Sequence, residues 1–334
     1  MVFVTGSSGL VGSHLLYALT EKGVQIRAMY RSKERIVHVE KLFDFYNKKN
    51  NTTLSTKDIE WVHGDLANLD ALNSAMQGVE TVFHCAALVS FLKSDFSECI
   101  KVNRYGTANV VNYCLKHNVK KLCYVSSTAA LGNSKEPITE HTKWKPGHDI
   151  SGYSVSKFAA EKEVFRGIAE GLNASIVNPC VILGPGNWDQ GSLTIFKAAK
   201  KGLPFYTTGT NSIVDARDVS NILLLLSESQ ECGEKYLLIG ENTSFRNLFS
   251  SISKVLNVRS PRFKLNRGLG KSLAFIFEYG FRLVGSKSPF TIESMQAAYK
   301  ELSYKNDKVK ERFGYQFYSL EDTISNAVDG RFYD

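Results

Sequence analysis

The 334-residue chain contains no apolar run approaching the ~18 residues that a bilayer span needs. Its cysteines (Cys85, Cys99, Cys114, Cys123, Cys180 and Cys232) lack the paired spacing of a zinc site. No metal is therefore expected. The first residues carry no basic leader and no small-residue cleavage site, so no signal peptide is expected there. Reduced thiols and a cytoplasmic location follow as expectations. There is no internal repeat, no low-complexity segment and no motif of a nucleic-acid-binding fold, so a nucleic-acid partner is not expected.

What is present is ordinary for a globular enzyme-sized protein. Apolar residues make up 43% and charged residues 22%, enough for a large core in one or two domains at roughly 150 residues each. The net charge of +8 is unevenly placed. Between Lys254 and Arg312 there are thirteen basic and five acidic residues, so the excess lies in the C-terminal part. A solvated basic face, an anionic substrate and an anionic membrane surface all fit that asymmetry.

Strand-like and helix-like stretches alternate in the first half. Strands are expected at Val2–Thr5, Gln25–Tyr30, Ile59–His63, Thr81–Cys85, Lys121–Ser126 and Ala174–Asn178. Helices are expected at Gly12–Lys22, Leu69–Met76, Phe96–Lys116 and Tyr153–Glu170, with Gly23, Gly78 and Gly171 as stops. Such β-α repetition predicts an α/β fold, a doubly wound parallel sheet with helices on both faces. After Pro179 the rhythm breaks. Thr194–Lys201 and Val214–Leu226 read as helices and Lys235–Ile239 as a strand. From Asn242 onward helices predominate, which predicts a smaller, mostly helical C-terminal lobe. The expected division is a nucleotide-binding domain over 1–178, to which 204–240 returns, and a substrate lobe from 179–203 and 241–334. Ligands of open α/β sheets bind beyond the carboxyl ends of the strands, here the cleft between the lobes.

The first such strand end reads Gly6-Ser7-Ser8-Gly9-Leu10-Val11-Gly12. It lacks the G-x-G-x-x-G spacing. Gly6 suits a tight turn, Gly9 a close backbone approach to pyrophosphate, and Gly12 close packing of the next helix. The helix N-terminus offers N–H groups and a positive dipole end to phosphate. The same glycines also suit an ordinary strand-to-helix turn. The second strand lacks the acid that usually holds the ribose 2′-OH of NAD. It ends in Arg31, with Lys33 and Arg35 close behind. A guanidinium suits a 2′-phosphate, so NADP is favoured over NAD; the alternative is a basic loop in solvent. Asp65-Leu66 at the third strand end could meet the adenine amino group or cap a helix. Ala86-Ala87 at the fourth would let the chain pass close to a cofactor, or simply pack.

Tyr153-Ser154-Val155-Ser156-Lys157 places a phenol and an ammonium at i and i+4 on one helix face. A nearby cation is expected to lower the phenol's pKa and make it a usable proton donor or acceptor, although the bare spacing also recurs by chance. Ser127, at the end of the fifth strand, is expected to share a substrate oxygen with Tyr153; Ser126 and Thr128 are its neighbours. Asn103 lies early in a helix beside the site, as a site residue or a cap.

Gly6-x-x-Gly9-x-x-Gly12, the Ser127 region, Tyr153-x-x-x-Lys157 and Asn103-x-x-Gly106-Thr107 together resemble the extended short-chain dehydrogenases/reductases, over most of residues 1–240. The resemblance implies a Rossmann domain, with Tyr153 as acid/base, Lys157 tuning it and holding the nicotinamide ribose, and Ser127 polarising the carbonyl. The cofactor would be lined by Gly6, Ser8, Gly9, Leu10, Val11, Arg31, Lys33, Asp65, Leu66, Ala86, Ala87, Asn103, Tyr153, Lys157, Pro179 and Ile182. Within the family, Val177–Gly186 and Arg31 look like the dihydroflavonol and cinnamoyl-CoA reductases rather than the sugar-nucleotide epimerases and dehydratases. Expected chemistry is NADPH-dependent reduction of a ketone or aldehyde. An epimerase or dehydratase with bound NAD is one alternative, and a 3β-hydroxysteroid-type dehydrogenase on a lipophilic substrate is another. The partner is then a small carbonyl or alcohol. The resemblance also implies a homodimer through the helices carrying Tyr153–Glu170 and Phe96–Lys116. Residues 268–285 are apolar with a few charges. They read as a packed helix, as a lid over a lipophilic substrate, or as a helix on a membrane surface.

Overall fold

The computed structural model describes residues 1–132, 134, 136–145, 147, 150–283 and 291–332. The first half alternates as expected: β1 (Val2–Thr5), α1 (Leu10–Glu21), β2 (Ile26–Tyr30), α2 (Ile36–Asn50), β3 (Glu60–His63), α3 (Leu69–Ala75) and β4 (Thr81–His84). There follow α4 (Phe96–Cys99), a π-helical turn at Ile100–Tyr105, α5 (Gly106–Lys116), β5 (Lys121–Val125), α6 (Gly152–Ala169) and β6 (Ala174–Pro179). Gly23, Gly78 and Gly171 all have positive φ, as helix-ending glycines require. The helix α2 is additional to the expected elements. Its apolar stripe, Val39, Leu42, Phe43 and Tyr46, is interleaved with charged residues but is fully buried.

The central sheet has seven parallel strands in the order Lys235–Leu238, β6, β5, β4, β1, β2, β3. The seventh strand, Lys235–Leu238, extends the sheet beside β6. Strand order reverses between β1 and β4, where Thr5 pairs with His84. Crossovers on the two sides of that reversal leave a crevice at the carboxyl ends of these strands.

Alternation along the strands sorts side chains to two cores. Val4, Phe83, Cys123, Val125 and Val177 face α1, α2 and the helix Ala216–Glu228. Phe3, Val82, Leu122, Tyr124 and Ile176 face α3, α5 and α6. Both faces of the strands are thus covered, and each fully buried Leu or Phe contributes roughly 1.5–3 kcal/mol.

One expected element is corrected. Val214 and Asp215 end a strand, Thr210–Asp215, instead of opening a helix. The helix begins at Ala216 because the Asp215 carboxylate caps it, accepting from Arg217 N at 2.8 Å. Beyond Gly240 a short strand, Glu241–Ser244, precedes helices at Phe245–Val255, Arg267–Leu283, Ile292–Ala297, Asp307–Phe313 and Leu320–Asp329. Positions 284 and 285 of the apolar stretch lie outside the described residues.

Candidate active site

At the sheet's reversal, Gly6 has φ +65, and a Cβ on it would lie 2.5 Å from Ala86 N. Only glycine permits both the turn and the contact between the ends of β1 and β4. A Cβ on Gly12 would meet Gly6 O at 2.2 Å, so this glycine seats α1 against the loop. Gly9 differs. It is exposed, it caps α1, and the nearest atom to a Cβ there is Gly6 O at 3.2 Å. Ser7 is buried and ties the loop to β2 by donating to Met29 O at 2.6 Å, while Ser8 is half-buried. The first-turn N–H groups of Leu10 and Val11 have no acceptor within an α-helix. The loop therefore presents N–H donors, a dipole end and a bare backbone, the chemistry that suits a pyrophosphate.

Along the same edge, Arg31, Lys33 and Arg35 are exposed at the end of β2. Arg31 Nη1 lies 3.6 Å from Asp65 Oδ2, and both side chains are largely in solvent. Such a pair holds weakly, so the guanidinium is available to a stronger anion. Asp65 caps a turn, accepting from Ala67 N at 2.9 Å, while Asn68 caps α3. Leu66 is buried under Gly106, and its carbonyl accepts from Asn109 at 2.8 Å. Ala86 is half-buried and Ala87 exposed. Pro179 is buried in β6, and Ile182 lies half-buried in the strand Val181–Leu183.

Ser127 and Tyr153 approach each other beside this crevice, with Lys157 one turn further along the same helix. Ser151 caps α6, accepting from Ser154 N at 3.1 Å, and the following turn carries Tyr153 toward the end of β5. Tyr153 is 8% exposed. Burial pushes its phenol up to about 12, and the polar Ser127 side chain beside it offsets part of that rise. The Ser127 hydroxyl also accepts from Ala129 N at 3.1 Å, so it serves the turn as well as the phenol.

Lys157 departs from expectation. Its ammonium does not depress the Tyr153 phenol; it donates to Tyr124 Oη at 2.7 Å and to Val125 O at 2.9 Å. It also lies 4.5 Å from the centroid of the Tyr124 ring. Burial lowers Lys157 to about 7, against the pull of the Glu161 carboxylate, which favours the charged form. Both groups are shifted toward neutrality by desolvation, which outweighs the expected mutual charge effect.

Asn103 is not a helix cap. It sits in the π-helical turn, where Nδ2 donates to Leu88 O at 2.9 Å and to Ser156 Oγ at 2.8 Å. Its Oδ1 accepts from Leu88 N at 2.7 Å. It clamps the segment after β4 to α6, one residue from Lys157. Residues that the sequence reading did not single out complete the site. Glu161 accepts from Ser126 Oγ at 2.6 Å and Asn178 Nδ2 at 2.5 Å, and Asn178 also donates to Ser127 O at 2.9 Å. His84 bridges Thr5 and Thr107 at 2.7 and 2.9 Å and stacks on Tyr124. Glu161 continues the i, i+4 series from Tyr153 and Lys157, a signal present in the sequence. The others meet only through long crossovers.

The family described as NAD dependent epimerase/dehydratase matches residues 2–240. Sterol demethylase protein B of Methylococcus capsulatus is 28% identical, the alignment covering 82% of this chain and 80% of that one. An Arabidopsis thaliana dihydroflavonol 4-reductase is 24% identical over 98% of this chain and 81% of its own length. The crystal structure of gox2253 superposes with a TM-score of 0.79 at 30% identity, covering 99% of this chain and 97% of that one. The chain therefore belongs to the NAD dependent epimerase/dehydratase family, as an NAD(P)-dependent oxidoreductase of the extended short-chain dehydrogenase/reductase type.

Proposed function

We propose that this protein reduces a ketone or aldehyde with NADPH, and that Tyr153 delivers the proton to the carbonyl oxygen. The observation that carries the reading is the placing of the Ser127 side chain beside the buried Tyr153 phenol at the strand edge next to the glycine loop. A phenol held at about 12 keeps its proton through the neutral range, so Tyr153 is in the protonated form that the reductive direction requires. Ser127 holds the carbonyl oxygen and orients it toward the phenol. Lys157, on the same helix, donates to Tyr124 and Val125 and so fixes the end of β5 beside the phenol.

The cofactor's parts fit the residues present. The Gly9 backbone and the start of α1 suit the pyrophosphate, and Arg31 with Lys33 and Arg35 suits a 2′-phosphate. When bound, the nicotinamide supplies two electrons and a hydrogen to the carbonyl carbon. Every other step uses this chain's own groups.

A second reading, a lipophilic alcohol or ketone of sterol type, is favoured by the rim of the site. The Phe91 ring meets Tyr153 edge-on at 5.8 Å, and Val89, Phe91 and Phe96 are all exposed nearby. A nucleotide-sugar epimerase or dehydratase would instead keep NAD bound through its cycle, and purified protein carrying NAD(H) would point there.

The test is Tyr153→Phe, assayed by NADPH absorbance against a panel of carbonyl compounds. Turnover should fall by roughly 10²–10⁴-fold, the usual worth of a placed general acid. NADPH binding should persist. Full turnover in the variant would sink the proposal.

A further inference from the structure

Over residues 267–279 the helix Arg267–Leu283 turns most of its apolar residues outward. Of its residues up to Tyr279, only Gly270 and Ala274 are buried, in a narrow i, i+4 seam; Gly270 faces Met295 and Tyr299. Leu269 and Ile276 are each 64% exposed, and Leu273, Phe275, Phe277 and Tyr279 are exposed as well. This overturns the expectation of a helix whose apolar side packs against the rest of the protein. Phe263, a few residues before the helix, adds a further exposed ring, 6.1 Å from the exposed Phe205. A contiguous apolar surface of this kind marks an interaction site.

Charge decides which occupant it fits. Between Lys254 and Leu283 there are seven Lys or Arg and one acid, Glu278. Glu278 turns inward, accepting from Ile292 N at 2.8 Å. Arg259, Arg262, Lys264, Arg267 and Lys271 are all exposed around the apolar residues. Aromatic and aliphatic side chains flanked by cations, with the acid turned away, complement an anionic lipid surface. Among the described residues no helix is long and apolar enough to cross a membrane, so the geometry is that of a helix lying in the interface plane.

We propose that the exposed face of Arg267–Leu283, with Phe205 and Phe263 beside it, docks this protein on an anionic bilayer surface. The dock is coupled to the site through the neighbouring helix Ile292–Ala297. Its Glu293 lies within electrostatic reach of both Glu278 on the docking helix and Lys93 in the segment that carries Phe91. The rim over Tyr153 is thereby held near the surface from which an apolar substrate would arrive.

The test is co-sedimentation of the full chain with phosphatidylcholine vesicles, with and without phosphatidylglycerol. The protein should pellet with the anionic vesicles and release as salt is raised. A Leu269→Ser/Leu273→Ser/Ile276→Ser variant should lose at least about tenfold in partitioning. Arg267→Glu and Lys271→Glu should each lose roughly fivefold. All five positions are exposed, so the variants should keep the parent's unfolding temperature and its cofactor-induced shift. Wild-type protein that stays in the supernatant, or a serine variant that partitions like wild type, overturns the proposal. So does a wild-type dimer that ignores vesicles and becomes monomeric in the serine variant, since a second copy then covers the face. Binding is scored without turnover, so vesicle binding by a protein that reduces no carbonyl would separate this proposal from the catalytic one.

Discussion

Lys157 illustrates how burial reverses a reading made from spacing alone. The i, i+4 interval from Tyr153 suggests a cation acting on a phenol. In the structure the ammonium is fully enclosed and donates to Tyr124 and Val125, so desolvation dominates and its affinity for a proton drops to about 7. The consequence for stability has a definite sign. Between about pH 7 and pH 9 the unfolded chain holds a proton on this lysine that the folded chain has released, so stability should rise with pH across that window. Above it, cysteines whose folded values are raised by burial, such as Cys123, work in the opposite direction. Lys157→Met should flatten the rise between pH 7 and 9, as followed by thermal unfolding, and should abolish turnover. A variant whose unfolding temperature kept the wild-type pH slope would assign that slope to other groups.

At the scale of an element, α6 does more than carry the Tyr and Lys. Its buried face continues one turn further to Glu161, whose Oε1 is the shared acceptor of Ser126 and Asn178. Asn178 in turn fixes the Ser127 carbonyl, so the helix positions all three expected catalytic groups. Glu161→Ala should cost about 3 kcal/mol in chemical denaturation, because it leaves buried donors without their acceptor. Glu161→Gln should restore most of that stability. It removes the carboxylate that supports the charged form of Lys157, so the limb of the pH–rate profile set by Lys157 should move below about 7. A merely structural glutamate would leave that limb in place. The residues around this helix also show what was legible in the sequence. Gly6, Gly12, Tyr153 and Lys157 are tied to local geometry, a turn or one helix face, and local spacing reveals them. Tyr124, Asn178 and His84 acquire their roles from partners 17 to 79 positions away, brought together by crossovers that no short window contains. For Asn103, only the fold shows that its amide bonds to Leu88 and Ser156. The helix α2 was hidden by charged residues between its apolar positions, and Asp215 ends a strand because it caps the helix that follows.

Across the whole molecule, the sheet's reversal between β1 and β4 makes cofactor binding and folding one linked equilibrium. The contact of Gly6 with Ala86 joins the two halves of the sheet where a pyrophosphate would rest, so a bound dinucleotide would brace both. A ligand that binds only the folded state adds about 2.7 kcal/mol at a hundred times its Kd. For a chain of 334 residues this corresponds to about 4 °C in Tm. NADPH should therefore raise Tm by about that amount and NADH by distinctly less, because β2 is followed by Arg31 with Lys33 and Arg35 behind it, while the one acid among them, Glu34, is engaged by the Ser32 hydroxyl. The pair of Arg31 with Asp65 is long and solvated, so it should yield to a phosphate at little cost. Arg31→Glu should weaken NADPH about tenfold, reduce its shift to about 2 °C and leave the NADH shift unchanged or larger. Equal shifts for the two cofactors in wild type, or an NADPH shift indifferent to Arg31→Glu, would mean that this cationic edge faces solvent and does not select the 2′-phosphate.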